Sequence, residues 1–392
     1  MNFHGLAMIE PTKHHKATKH DSRRTNLSNT LDLVSIQGST SRAEISRLTG
    51  LTRAAVSSLI GELIDEGLVR ELGRGISAGG KPPTMVALNE RGRDIVALDL
   101  GRRPFQAALV DLSGHIRDRV EAPTPDLAQS EAVEATLALI AELLAMAQAP
   151  VLGIGIGTPG VVDQAGLVVE AANLGWHNLD LGAAIRNTFS LPVSIANDAQ
   201  LAALAEVRRH AGRDNVLVVK LGRGVGAGVV LGARLHRGEN SAAGEIGHVK
   251  VVTDGLLCSC GNSGCLETVA SVPAILRSVG ADPDRHPWDA IALAAIAGEE
   301  PLRRALGMAG RHLGSVLAHA VALLDITHIV IAPEIRNCGD QLVDEIRAEL
   351  ASRVLPATAG LVEVELSPLG SDLVLAGAAT AVLTDRLGVL LR

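Results

Sequence analysis

Tyrosine is absent from these 392 residues, and phenylalanine and tryptophan occupy only three and two positions. With aromatics at 1%, the core has to be built from Ala, Val, Leu and Ile. Cysteine is nearly as scarce, at four. No apolar run is long and uncharged enough to read as a membrane span. The opening stretch MNFHGLAMIEPTKHHKATKH lacks a secretory signal's order of basic start, apolar block and cleavage site. Its four histidines are too irregularly flanked to make a metal site, so residues 1–20 read as a flexible tail. These absences predict a cytoplasmic chain without membrane insertion, whose thiols stay reduced.

What is present points to a globular α/β protein. Apolar residues make up 47% and charged residues 20%, and the length suggests two or three domains. Glycine is abundant, at 41, and clusters in short turns of the kind that let a backbone approach a ligand closely. The net charge of −7 is unevenly placed: residues 1–90 carry 11 Lys and Arg against 9 Asp and Glu, and the remainder 25 against 34. An acidic body excludes nucleic-acid binding along the whole chain but leaves room for a small DNA-reading module at the N-terminus.

Residues 21–90 read as a winged helix–turn–helix. A helical pattern runs from Ser22 to Ile36, with Leu27, Leu31, Val34 and Leu33 on one side. Ser41 stands three residues before Glu44, a capping-box spacing, and Ala43, Ile45 and Leu48 are expected to bury. Gly50 ends that helix. Thr52 then caps a second helix with Val56, Leu59, Ile60 and Leu63 at helical spacing. Val69–Leu72 and Thr84–Leu88 are short strands around a basic Gly/Pro tip, as in a wing. Ser41, Arg42, Thr52, Arg53 and Ser57 form the polar exposed set that would meet DNA, with Thr52–Leu63 in the major groove and Lys81 on the backbone or minor groove. A small helical domain used only for assembly has the same periodicity.

The body begins near Arg91. Three strands, a helix, a strand and a helix occur early and partly again later, which predicts a duplicated α/β architecture with a cleft between two lobes. The first lobe is placed at 91–196 plus 371–392 and the second at 197–370. In such folds ligands sit at the carboxyl ends of strands, where Asn197 and Asp198 stand.

His248, Cys258, Cys260 and Cys265 offer one imidazole and three thiolates, an accepted tetrahedral set for zinc. Four protein ligands leave no place for water, so such a metal would be structural. Unligated core thiols and, less suited to a reduced compartment, a disulfide are the alternatives. Cys338, in another segment, reads as a small buried residue. Glu245 and His248 share a face if their segment is a helical turn, and Glu267 follows Cys265 by two. A metal clip would aim His248 and Glu267 at one place, and with Glu245, Asn197 and Asp198 they suit a polyol or sugar. Each carboxylate taken singly is equally a solvated surface residue, or for Glu267 a helix N-terminal charge.

GIGIGTPGVVD, NLGW, NDAQLAALAE, GRGVGAGVVLG, AAGEIGH and CSCGNSGCLE occur in the order found in the ROK family of sugar kinases and sugar-responsive repressors, and the wing's GGKPP resembles the repressor branch. The resemblance implies an N-terminal winged helix–turn–helix followed by a two-lobed actin-like, ribonuclease H-like body. It implies structural Zn2+ on His248, Cys258, Cys260 and Cys265. It implies sugar contacts from Asn197, Asp198, Glu245, His248 and Glu267, with Gly160 and Asn173 nearby, and Asp198 matches the base of the family's kinases. The nucleotide motifs depart from the kinase pattern. Arg102 and Arg103 follow Gly101 where an Asp-x-Gly-Gly-Thr loop is expected. Arg223 stands between Gly222 and Gly224 where a hydroxyl residue is expected. Ala332, Pro333 and Glu334 stand where glycines would admit adenosine. The resulting expectation is a repressor that binds a double-stranded DNA operator as a homodimer or tetramer, senses a sugar or sugar phosphate, and has lost phosphoryl transfer. An ATP-dependent sugar kinase with an added DNA module, or a regulator controlled by a protein partner, are the competing expectations.

Overall fold

A computed structural model describes residues 19–76, 82–123, 128–210, 212–282, 300–333 and 339–391. They fall into two compact units, Met1–Ala87 and Leu88–Arg392.

The first unit contains α1 (Lys19–Gln37), β1 (Thr40–Ser41), α2 (Arg42–Thr49) and α3 (Arg53–Asp65), then β2 (Val69–Arg74) and β3 (Thr84–Leu88). The Ser41 hydroxyl accepts from the Glu44 N–H at 3.2 Å and caps α2, and the Thr52 hydroxyl accepts from the Ala55 N–H at 3.2 Å and caps α3. Gly50, at φ 71°, closes α2 in the left-handed conformation that glycine adopts without strain. Leu31 and Val34 of α1, Ile45 of α2 and Val56, Leu59, Ile60 and Leu63 of α3 are buried. Ala43 and Leu48 are exposed, contrary to expectation. An eight-residue helix has one narrow inward stripe, which Ile45 fills; Ala43 lies about 200° around from it and Leu48 at its margin. β1 pairs antiparallel with β3, giving a small sheet of order β1-β3-β2. Residues 77–81 at the tip, Lys81 among them, lie outside the described residues, as do 1–18 of the expected tail.

The second unit repeats one plan twice. β4 (Asp94–Asp99), β5 (Phe105–Asp111) and β6 (Ile116–Ala122) form an antiparallel meander, and α4 (Gln129–Met146) leads to β7 (Val151–Thr158), parallel to β4. A side sheet of β8 (Val161–Val162), β9 (Leu167–Ala171) and β10 (Trp176–Asp180) follows, then α5 (Leu181–Thr188), β11 (Val193–Asn197) parallel to β7, and α6 (Asp198–Arg209). The first main sheet has order β11-β7-β4-β5-β6.

The repeat consists of β12 (Val216–Leu221), β13 (Val225–Leu231), β14 (Arg234–Leu235), α7 (Glu267–Ala270), α8 (Val272–Ser278), α9 (Glu300–Leu324), β15 (His328–Pro333), α10 (Gly339–Arg353), β16 (Glu363–Leu366) and α11 (Leu373–Leu387). Its sheet has order β14-β13-β12-β15-β16, the same sequence of one meander and two added parallel strands. The fold is therefore the duplicated, two-lobed α/β architecture expected.

Strands β4 and β5 are buried along their whole length, which is why they read as nearly unbroken apolar runs. In α9, Leu302, Leu306, Ala309, Leu313, Val316, Leu317 and Val321 are buried at three- and four-residue spacing. That apolar stretch is core. The β8–β10 sheet has no counterpart in the sequence reading, because its strands are only two to five residues long.

Candidate sugar cleft and metal centre

The three cysteines and the histidine converge. Cys258 Sγ lies 3.6 Å from His248 Nδ1, and Cys260 Sγ lies 3.7 Å from Cys265 Sγ. All four ligand atoms lie within 4.8 Å of one another. A tetrahedral zinc with bonds of about 2.3 Å to sulfur and about 2.0–2.1 Å to nitrogen holds its sulfurs about 3.8 Å apart and sulfur from nitrogen about 3.6 Å. The four groups thus fit zinc before any ion is placed. The same separation is far outside a disulfide bond, so the disulfide alternative falls. Cys338 lies outside the described residues.

The centre shapes the cleft. Glu245 precedes a single 3-10 turn, Ile246–His248, whose last N–H bonds the Glu245 carbonyl at 3.2 Å. With Nδ1 turned to the cysteines, His248 presents Nε2 towards Glu245, 3.8 Å from Oε2. Glu245 is pushed above the usual carboxylate range, by burial first, against the pull of His248. Glu267 opens α7 two residues after Cys265, and its Oε2 accepts from the Val225 N–H at 3.0 Å. A side chain at Gly224 is impossible without displacement: a Cβ there would stand 2.5 Å from Glu267 Oε2 and 2.8 Å from Asn173 Nδ2.

Asn197 and Asp198 occupy the turn from β11 into α6. Asn197 caps the helix, its Oδ1 accepting from Ala199 and Gln200 at 2.8 and 3.2 Å, and its Nδ2 donates to the Gly160 carbonyl at 3.0 Å. Its first task is therefore to fix the turn that presents Asp198. Asp198 Oδ1 accepts from the Ala199 N–H at 2.8 Å, and Oδ2 lies 3.1 Å from Lys220 Nζ. Gly160, Asn173, Asn197, Asp198, Glu245, His248 and Glu267 all line one cleft.

Lys220 was not singled out from the sequence. A lone charge in the apolar strand VLVVKL is the signal that could have found it. Its ammonium pairs with Asp198, and its charge also pulls on Asp99, which is buried and accepts from the Gly101 N–H at 2.9 Å. A Cβ on Gly101 would sit 2.7 Å from Asp198 Oδ2, so only glycine lets β4 end this close to the carboxylate.

The other wall of the cleft carries Arg103 and Arg223. Both are exposed, and Arg223 sits in the tight turn closed by the Gly222 N–H on the Gly224 carbonyl at 3.0 Å. Ala332 is buried near the end of β15, and Pro333 is the last residue of that strand. Glu334 lies outside the described residues.

In the first unit, Thr52, Arg53 and Ser57 are exposed on α3. Ser41 and Thr52 commit their hydroxyls to capping, and Arg42 is ion-paired with Glu71 of β2 at 2.8 Å, so Arg53 and Ser57 are the less engaged members of the set. Among the described residues no helix is long and apolar enough to cross a membrane.

Comparison with known proteins agrees with this geometry. The ROK family profile matches residues 95–385. The xylose repressor of Bacillus spizizenii is 31% identical over 340 residues, covering 85% of this chain and 88% of that one. A solved ROK family transcriptional regulator, described as a homolog of the Escherichia coli MLC protein, superposes with TM-score 0.82 at 28% identity, covering 94% of this chain and 98% of its own. A ROK glucokinase from Streptomyces griseus, solved with glucose and AMPPNP, gives TM-score 0.64 at 30% identity and covers 73% of this chain and 98% of its own.

Proposed function

Because this chain belongs to the ROK family, we propose that it is a cytoplasmic, sugar-responsive transcriptional repressor rather than a kinase. The observation that carries this reading is the pairing of a cleft lined by Asn197, Asp198, Glu245, His248 and Glu267 with a separate helix–turn–helix unit. The repressor-type relatives match through both units, whereas the glucokinase covers 73% of the chain.

In this reading residues 21–90 bind operator DNA. Arg53 and Ser57 reach base edges or phosphates from α3, and Lys81 contacts the DNA backbone or minor groove. One such module has a small footprint, so two chains or more act on a palindromic site. Zinc on His248, Cys258, Cys260 and Cys265 supplies a rigid clip. The clip orients His248 Nε2, and Glu245 and Glu267 accept from sugar hydroxyls. Asp198 accepts from a further hydroxyl, in competition with Lys220. The family's base is therefore kept as a recognition group. Sugar and operator are linked ligands: a sugar that binds the released state more tightly lowers operator affinity by the same factor.

The test uses DNA enriched by the protein itself from a random pool. Operator affinity is then measured with a panel of aldoses, N-acetylhexosamines and their phosphates. One class of sugar is expected to weaken binding at least about tenfold, and the effect is expected to vanish in Glu245→Ala. Failure to enrich any sequence, or an operator affinity indifferent to every sugar, contradicts the reading.

A further inference from the structure

Helix α6 runs from the cleft to the far end of the second main sheet. It starts at Asp198, and His210 follows its last residue, Arg209. There His210 meets His328, the first residue of β15, and Glu365 on the adjacent strand β16. His210 Nε2 lies 3.0 Å from Glu365 Oε1, and His328 Nε2 lies 3.1 Å from the same oxygen. The two imidazoles stand nearly perpendicular, 5.0 Å between centroids. A tetrahedral divalent ion with nitrogen and oxygen bonds of about 2.0–2.2 Å holds such donors about 3.3–3.5 Å apart. Both imidazole–carboxylate pairs are thus within a few tenths of an ångström of coordination spacing, and all three ligand atoms lie within 4.8 Å of one another.

The backbone bond made by His210 suits the same chemistry. His210 Nδ1 is 3.1 Å from the Glu206 carbonyl, which takes its N–H and leaves Nε2 with a lone pair; metal-binding histidines are oriented by such a bond. Arg209 is the competitor. Its Nη2 lies 2.8 Å from His210 Nε2 and 3.3 Å from Glu365 Oε1, while its Nε is held by the buried Glu206 carboxylate at 2.9 Å. An ion entering here displaces only the guanidinium tip, with the anchor on Glu206 kept.

We propose that His210, His328 and Glu365 form a second divalent-metal site, taking zinc or a similar borderline ion with water as the fourth ligand. Such an ion pins the C-terminal end of α6 to β15 and β16. Its other end carries Asp198, so the site braces the helix that presents the cleft.

Zinc and cobalt binding to the full-length, reduced, chelator-stripped protein tests this. The expected result is two specific equivalents. The first cobalt gives the intense thiolate charge-transfer bands of the cysteine centre, and the second gives only weak d–d absorption. His210→Ala and Glu365→Gln weaken the second equivalent by about tenfold or more and leave the first unchanged, which also reports that both variants are folded. Arg209→Gln tightens the second by removing a competing charge. A single equivalent in the wild type overturns the proposal. So does a second equivalent that both substitutions leave within about twofold, as ions held by the N-terminal histidines would be.

Discussion

Two sets of side chains line the cleft, and they present opposite chemistry. One set is positioned by the cysteine cluster and a helix cap, and its carboxylates are held by backbone N–H groups: Glu267 by Val225, Asp198 by Ala199. The other set includes Arg103 and Arg223, with Pro333 ending the nearby strand. Preorganised acceptors suit a neutral ligand rich in hydroxyls. Arginines in place of glycine and hydroxyl residues crowd a loop that would otherwise wrap phosphates with its own N–H groups. A site that keeps one substrate's contacts and fills the other's is what the proposed sensor requires, and Lys220 pairs with Asp198 in the same cleft.

The largest expected effect comes from removing what holds the first set. Cys265→Ser is expected to abolish zinc at the cysteine centre, lower the melting midpoint by about 5 °C or more, and remove the sugar response together with it. Metal analysis and thermal unfolding check this, and a variant that keeps the response without zinc separates the clip from the cleft. Next in size is Glu245→Ala, which is expected to weaken sugar binding about 10–100-fold by leaving sugar hydroxyls unpaired, with zinc retained. Calorimetry with the responsive sugar measures it.

A third effect, read in stability rather than in ligand binding, concerns the buried Asp99. Burial pushes its carboxyl up to about 6, and the nearby Asp198 adds to the shift against the pull of Lys220. A carboxyl whose folded value exceeds its unfolded value of about 4 contributes stability below pH 4, and loses it as pH rises through 6. Asp99→Asn removes that dependence. Relative to wild type it is expected to gain about 2–3 kcal/mol between pH 4 and pH 7 in urea unfolding. An unchanged difference across that range would mean Asp99 stays ionised and the charge cluster at Lys220 is more strongly compensated.

Much of this was legible before the fold. Ser41 and Thr52 announced two helix caps because a hydroxyl three residues ahead of an N–H has one local use. The spacing of His248, Cys258, Cys260 and Cys265 pointed to a cluster able to hold a metal, and the fold brings the four ligand atoms within 4.8 Å of one another. The meander-and-parallel plan was readable because β4, β5, β7 and β12 are buried and therefore apolar. Lys220 was missed because its partner Asp198 is 22 residues away and only the cleft brings them together. Glu245 and Glu267 could be nominated but not distinguished from surface acids until α7 and the 3-10 turn placed them. The cluster of His210, His328 and Glu365 was invisible for the same reason: its members come from three elements spread over 156 residues.

The central claim is that the hydroxyl wall binds and the nucleotide wall does not. Calorimetry on one zinc-loaded sample, titrated with the responsive sugar and then with AMPPNP and magnesium, tests it most directly. The account predicts heat of binding from the sugar and none from AMPPNP, with no ADP released when ATP replaces the analogue. Saturable AMPPNP binding followed by sugar-dependent ADP release would contradict it.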